Sequence, residues 1–302
     1  MTQEKVAVVG LGAMGGGMAR VLVRAGFAVM GFDVVGEREL AFAKESGVAA
    51  DPEALADVSA VLLMVVNAAQ VEATLFDDNR FGPGGLMGRL SPDAVVINAA
   101  TVPPSFARQV AGRVGGDRYL DCPVSGGTAR AAEGDLAILA AGTETAFARA
   151  DAVLTALART VYRLGTEPGK GSAMKAVNQL LAGVHIVAAA EAITFGMSQG
   201  LDPGEIIAII DECAGNSWML QNRGPHIRDG DYTPLSAVEI FVKDLGLVDD
   251  IAREARFSAP LTAAALTQFL AASGSGLGRE DDAAVAKVYA RNGGITLPGD
   301  AA

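Results

Sequence analysis

Residues 171–192 read GSAMKAVNQLLAGVHIVAAAEA, and one lysine opens a segment that is otherwise apolar on almost every side. Lysine is rarely buried without a partner, so its place here asks for a use. On a helix, residues three and four apart share a face, which puts Lys175, Asn178, Ala182 and His185 along one stripe. A lysine and an asparagine one turn apart suit one substrate hydroxyl. The amine takes the hydroxyl proton as hydride leaves the carbon; in reverse, the ammonium polarises a carbonyl and returns the proton. A free lysine has a pKa of about 10.4, so half-neutrality near pH 7 demands about 4.6 kcal/mol from its surroundings. Burial and a neighbouring positive ring both act in that direction. The plain alternative is a lysine at a helix start with its ammonium in solvent. His185 lies deeper in the apolar run and reads as a core histidine rather than a base.

A second constellation is GLGAMG, Gly10 to Gly15, which follows a short apolar run and opens a helical one. Gly10 permits a tight turn, Gly12 lets the backbone approach a pyrophosphate, and Gly15 allows close packing of helix on strand. The helix start then offers free amides and the positive end of its dipole to phosphate. Asp33 ends the next apolar run, about 20 residues on, where a carboxylate binds adenosine ribose hydroxyls. A 2′-phosphate would meet that charge, and Val34 and Val35 supply no basic replacement, although Arg38 stands close by. NAD is therefore expected over NADP. A third stretch, DCPVSGGTARAAEGDL from Asp121, carries Ser125, Gly126 and Gly127, a small amide-rich turn suited to a carboxylate or simply a surface loop.

Positioning these groups needs a scaffold. KVAVVG, AVMGFDV (Ala28 to Val34), AVLLMVV, AVVINAA and RYLDCPV (Arg118 to Val124) read as buried strands, mostly separated by helical stretches as βαβ units require. DLAILAAG and TVYRLG are expected to finish the same sheet near Gly165. Beyond it, helical stretches are predicted over about Ser172–Gln199, Pro203–Ala214, Ser236–Arg256, Pro260–Ala272 and Glu280–Ala290, with Gly and Pro clusters such as NRGP between them. The predicted fold is α/β: a Rossmann-type doubly wound sheet over residues 1–165, then an all-α domain over 166–302 for substrate binding and dimerisation, joined by a long interdomain helix.

Bulk composition narrows the partners. Half of the 302 residues are hydrophobic and 20% are charged, as a chain with a large core requires. A formal net charge of -11 argues against nucleic acid. Cys122 and Cys213 lack metal spacing and fit a reducing cytoplasm. The run Leu180–Ala190 is too short to cross a bilayer, so no membrane is expected. No metal is expected either, because His, Cys, Asp and Glu nowhere cluster at ligand spacing.

Taken in order, VGLGAMGGGMA, DCPVSGG, GKGSAMKAVNQLL and FVKDLGL resemble the β-hydroxyacid dehydrogenase family, which includes 3-hydroxyisobutyrate dehydrogenases, over nearly the whole chain. The resemblance implies that Lys175 is the catalytic lysine and Asn178 the asparagine that holds the substrate beside it. It implies that Ser125, Gly126 and Gly127 receive the substrate carboxylate. Leu11, Ala13 and Met14 of the glycine loop, Val66, Asn67, Thr101 and Lys243 would join Gly10, Gly12, Gly15 and Asp33 at the cofactor. Ala100 departs from the pattern, since a serine commonly precedes the threonine. The C-terminal half resembles the branch acting on four-carbon sugar acids such as L-threonate, with NAD and at C2, whereas the wider family usually oxidises C3. Asn216, Ser217, Trp218 and Asn222 offer that substrate hydrogen bonds and an aromatic wall, with Trp218 and Asn222 placed in the site. Trp218 as a core residue and NSW as a helix cap remain open readings. Implied with these are a small hydroxy acid as partner, a homodimer or homotetramer, and a cytoplasmic setting. The alternatives are a 3-hydroxyisobutyrate dehydrogenase, a tartronate semialdehyde reductase, an imine reductase, or a dinucleotide sensor without chemistry.

Overall fold

The computed structural model describes residues 3–78 and 80–299. The chain divides into two compact units, Met1–Lys175 and Ala176–Ala302, so the division falls inside the long helix and not ahead of it.

In the first unit, β1 (Lys5–Val9), β2 (Ala28–Phe32), β3 (Ala60–Leu63), β4 (Val95–Asn98) and β5 (Tyr119–Asp121) form a parallel sheet in the order β2-β1-β3-β4-β5. The helices α1 (Ala13–Arg24), α2 (Gly36–Ser46), α3 (Ala68–Phe76) and α4 (Pro104–Val114) alternate with these strands. Strands covered on both faces read as continuous apolar runs. Val6 and Val8 pack with Leu62, Val95 and Ile97 on one face, while Ala7 and Val9 pack with Val61, Leu63 and Val96 on the other. The order reverses between β1 and β3, and open α/β sheets bind ligands at the carboxyl ends of the strands flanking such a reversal.

The strands expected to finish this sheet build another. β6 (Val124–Ser125), β7 (Leu136–Ala140) and β8 (Ala158–Arg163) form a second sheet in that order, antiparallel and then parallel. Asp121 bridges to Ala141 where the two sheets meet. The run expected as one strand, Arg118–Val124, is split for a physical reason. Cys122 still donates its N–H to Asn98 of β4, while its neighbours face the opposite edge, where Asp121 pairs with Ala141 and the Pro123 carbonyl accepts from Leu139 of β7. The helices α5 (Gly127–Glu133) and α6 (Glu144–Leu157) complete the unit.

The long helix α7 (Lys170–Ser198) runs on into the second unit, with α8 (Pro203–Asp211), α9 (Trp218–Asp229), α10 (Val238–Glu254), α11 (Pro260–Ala272) and α12 (Val285–Gly293). By length and composition α7 could cross a membrane, which the Leu180–Ala190 run alone did not suggest. Its apolar residues have another use: Ala182, Ile186, Ala190 and Ile193 enter the core with Phe241, Leu245, Phe269 and Val285. Phe241 and Phe269 stack with ring centroids 5.3 Å apart. Helix α9 occupies the stretch where NRGP was expected to break the chain. Ser217 caps it by accepting the Leu220 N–H at 3.0 Å, and Pro225 removes one internal donor without ending it. Conversely, residues 280–284 precede α12 as a turn organised by Asp281.

That turn holds a buried ion cluster. Arg223 of α9 pairs with Asp282 through two bonds, Nε to Oδ1 at 2.5 Å and Nη2 to Oδ2 at 3.1 Å, and its Nε lies 3.6 Å from Asp281. Both aspartates are fully buried, and Asp281 also accepts the N–H groups of Leu235 and Ala283. Burial pushes the Asp282 carboxyl up to about 6 against the pull of Arg223. A carboxyl raised in the folded state keeps a proton that the unfolded chain has already lost. Its contribution to stability is full below about 4 and disappears as pH rises through about 6. Thermal melts should therefore show wild type losing ground to Asp282→Asn between pH 4 and 7. A gap that moves in favour of wild type would mean that the ion pair outweighs the burial.

Candidate active site

The loop after β1 explains its glycines one at a time. Gly10 has φ +94°, and a Cβ on it would lie 2.3 Å from the Met64 carbonyl oxygen. A Cβ on Gly15 would lie 1.9 Å from the Gly10 carbonyl oxygen. Gly12 differs, since a Cβ there would meet nothing within 4 Å. It caps α1, no side chain fills the cap, and the first turn carries no acid. Leu11 is buried, and Ala13 and Met14 form the start of the helix. Free amides facing open space fit a pyrophosphate.

Asp33 follows β2, buried to 8% exposure. Its Oδ2 accepts the Leu11 N–H at 2.7 Å and its Oδ1 the Val35 N–H at 2.9 Å. Each carboxylate oxygen has two acceptor positions, so Oδ2 keeps one that would suit a ribose hydroxyl, while Oδ1 is shared between Val35 and Arg38. Arg38 Nη1 stands 3.5 Å from Oδ1, a contact shared with solvent, as about half the Arg38 side chain is exposed. Behind Asp33 lies a network that sequence reasoning missed. Buried Glu39 accepts the Asp33 N–H at 2.5 Å, and Arg80 donates to the Asp33 carbonyl at 2.9 Å while pairing with Glu39 through Nη1 and Nη2. Glu39 carries a faint signal, an acid in the first turn of α2; Arg80 carries none.

Lys175 is buried, at 8% exposure. The turn that opens its helix is held by Asp121, at the end of β5. Asp121 Oδ2 accepts the N–H groups of Gly169 and Ser172, both at 2.8 Å, and Oδ1 accepts the Ser172 hydroxyl at 2.6 Å. Burial raises the Asp121 carboxyl, and these donors act in the opposite direction. The glycines of GKGS are needed for the fit. Gly169 has φ +95°, and a Cβ on Gly171 would lie 2.4 Å from the Leu139 oxygen and 2.5 Å from that of Asp121.

In the same unit, Ser125 ends β6 half-buried, and Gly126 and Gly127 take φ +142° and +73°. A Cβ on Gly127 would meet nothing within 4 Å, which leaves the turn open on that side. Asn67 is the N-cap of α3, its Oδ1 accepting the Gln70 N–H, and exposed Val66 donates its N–H to the Gln70 side chain. Thr101 is half-buried after β4. Ala100, where a serine was expected, is fully buried in the core.

In the second unit, Asn178 is half-buried and donates to Gln179. Much of the NSWMLQN segment serves its own backbone. Asn216 donates to Asp211, Ser217 caps α9, and Asn222 accepts from Arg223. Trp218 is 49% exposed, which rules out a core role for it. His185 is half-buried on α7 and not deep in the core, and His226 Nδ1 meets the Asp231 carbonyl at 2.6 Å. Lys243 Nζ lies 2.8 Å from Asp244. Among the described residues no His, Cys, Asp and Glu group could hold a metal ion.

Residues 5–165 match the NAD-binding domain of 6-phosphogluconate dehydrogenase, and residues 169–289 match the NAD-binding family of NADP-dependent 3-hydroxyisobutyrate dehydrogenase. The L-threonate dehydrogenase of Cupriavidus necator is 50% identical over 302 residues, covering 99% of each chain. The chain belongs to the β-hydroxyacid dehydrogenase family. It is an NAD-binding hydroxyacid dehydrogenase acting on a CH–OH group. The L-threonate dehydrogenase of Escherichia coli K12 is 44% identical, covering 97% of this chain and 96% of its own. A crystal structure from Salmonella typhimurium described as a 3-hydroxyisobutyrate dehydrogenase superposes with a TM-score of 0.85 at 43% identity, covering 95% of this chain and all of that one.

Two outcomes are expected of this dehydrogenase. Asp33→Ala removes two charge-assisted acceptors, so KM for NAD should rise about 10- to 100-fold, with a smaller change for NADP, in initial-rate assays. Asp121→Ala strands two backbone donors and a hydroxyl, and urea unfolding should register a loss of about 3 kcal/mol, against about 1 for Ser172→Ala.

Proposed function

We propose that the enzyme oxidises L-threonate with NAD to the 2-oxo acid, 2-dehydro-L-erythronate. The observation that carries the substrate is the end-to-end similarity to L-threonate dehydrogenase at 50% identity. NAD, when bound, accepts the hydride from the carbinol carbon. Lys175, as neutral amine, takes the hydroxyl proton and passes it to solvent, so a ketone and one proton are released for each turnover. Asn178 holds the same hydroxyl from one turn further along α7. Ser125, Gly126 and Gly127 receive the substrate carboxylate through hydroxyl and backbone donors. Trp218 and Asn222 contact the distal hydroxyls. Gly10 to Gly15, Asp33, Val66, Asn67, Thr101 and Lys243 bind the cofactor.

A second reading, 3-hydroxyisobutyrate oxidation, is favoured by the description of the Salmonella structure. The two substrates differ in polarity, and a pocket that hydrogen-bonds extra hydroxyls rejects an analogue lacking them by leaving its own groups unpaired. The enzyme works as a homodimer or homotetramer. Val177, Leu181 and Phe195 of α7 are 55%, 49% and 66% exposed, an apolar face that a second copy of the chain would cover. Two free cysteines suit the reducing cytoplasm.

Initial-rate NADH formation with L-threonate, D-threonate, the erythronates, glycerate and 3-hydroxyisobutyrate tests the substrate. Selective turnover of L-threonate is expected, and preference for 3-hydroxyisobutyrate would overturn it. The product tests the carbon. A 3-oxo acid sheds CO2 spontaneously, so recovery of an intact four-carbon 2-oxo acid is expected. Lys175→Ala should lower kcat by about 100- to 10,000-fold with NAD binding retained; near-normal turnover would remove its role.

A further inference from the structure

Four side chains of the second unit form one connected chain. Asn178 Nδ2 donates to Gln179 Oε1 at 2.9 Å, and Gln179 Nε2 donates to Asp244 Oδ2 at 2.5 Å. Lys243 Nζ lies 2.8 Å from Asp244 Oδ1, an ionic contact without hydrogen-bond alignment. Gln179 and Asp244 are 6% and 3% exposed, whereas Asn178 and Lys243 at the two ends are only partly covered. The buried middle links one motif, KAVNQ on α7, to another, FVKD on α10.

The packing beneath this chain explains how the middle closes. Gly183 lies four residues after Gln179, hence on the same face of α7. A Cβ on Gly183 would come within 2.8 Å of the Leu245 side chain, so a glycine is what lets α10 approach α7 there. Leu245 adjoins Asp244, and close approach at Gly183 brings Asp244 within reach of a glutamine amide. A buried carboxylate costs several kcal/mol unless it is paired and hydrogen-bonded, so this one holds its two partners firmly. Each partner in turn contacts, or is, a group that the proposed function places at a ligand.

We infer that Gln179 and Asp244 are positioning residues which tie the substrate-holding amide of Asn178 to the cofactor-contacting ammonium of Lys243. The inference rests on the roles proposed for those two residues. Gln179 fixes the Asn178 amide by accepting one of its two N–H groups. That leaves the second N–H and the Oδ1 for substrate. Asp244 fixes the ammonium and, through Gln179, senses the amide. Cofactor capture at one end therefore sets the geometry at the other.

The test compares Gln179→Met, Asp244→Asn and the double variant in the full-length enzyme, measuring NAD dissociation constants by titration and kcat with L-threonate. Gln179→Met keeps the shape and cuts the chain beside Asn178. NAD affinity should stay within about twofold, while kcat falls about 5- to 10-fold, the value of a neutral amide–amide bond. Asp244→Asn should weaken NAD by a similar factor and also lower kcat. The double variant should be no worse than Asp244→Asn, since both cut one chain. Additive losses, wild-type values in either single variant, or equal loss of NAD affinity and kcat in both would overturn the inference. NAD titration reads Asp244 and Lys243 whatever the substrate, so failure of the L-threonate assignment appears separately, as absent turnover in the wild type.

Discussion

The carboxylate of Asp121, fully buried where β5 ends, accepts three donors from the turn that opens α7. A helix start leaves four backbone N–H groups without intrahelical partners, and in a buried setting they must find acceptors. Here the acceptor comes from a strand about 50 residues earlier in the chain. Ser172 supplies two of the three donors, and Lys175 lies three residues further on, close to the same helical face. The position of Lys175, proposed as the reactive amine, is therefore inherited from the sheet. Gly171 shows how closely this is built, because any side chain there would strike two carbonyl oxygens of the strands beneath.

At the other end of the sheet, the same principle selects the cofactor. Asp33 accepts from the backbone on both sides, so its carboxylate cannot swing away to make room for a 2′-phosphate. Glu39 adds a second acid behind it, and Arg80 compensates that acid while anchoring the Asp33 carbonyl. The cation is thus occupied inside the network. A site for NADP would require a cation facing the ribose, and among the described residues Arg38, half in solvent and 3.5 Å from Asp33, stands beside the proposed ribose position. Local sign and rigidity together favour NAD.

Much of this was legible because it is local. Buried parallel strands announce themselves as apolar runs, and the glycine loop and Asp33 follow from spacing alone. Lys175 and Asn178 are visible because polar residues interrupt an apolar helix. What escaped depends on distant partners. Nothing in DLAILAAG and TVYRLG distinguishes a second sheet from the completion of the first; that choice is made by distant pairing, with Asp121 and Pro123 bonded to Ala141 and Leu139 on the edge away from β4. Helix α9 was hidden by Pro225, whose lost bond is outweighed by a Ser217 cap and the burial of Leu220 and Ile227. Ser172 lies 51 residues from Asp121, Arg80 lies 41 from Glu39 and Gln179 lies 65 from Asp244, beyond any periodicity. The place of the unit boundary within α7 was likewise unmarked, since helical composition continues unbroken across it.

In the second unit, the amides proposed to meet the substrate share one construction. Asn222 is held by Arg223, which is itself held by Asp282, and Asn178 is held by Gln179 and Asp244. Each amide proposed to meet a substrate hydroxyl is therefore backed by a buried carboxylate. Amides left to rotate would present donor or acceptor indifferently and pair with any hydroxyl arrangement, at an entropic cost on binding. Amides fixed through a carboxylate present one pattern, and a substrate with a different pattern leaves a buried group unpaired. The price is a unit with several ionised groups removed from water, one of which, Asp282, is raised to about 6. That is a destabilising feature at neutral pH in an otherwise apolar helical core, and recognition of a polyhydroxylated acid gives a physical reason for its presence.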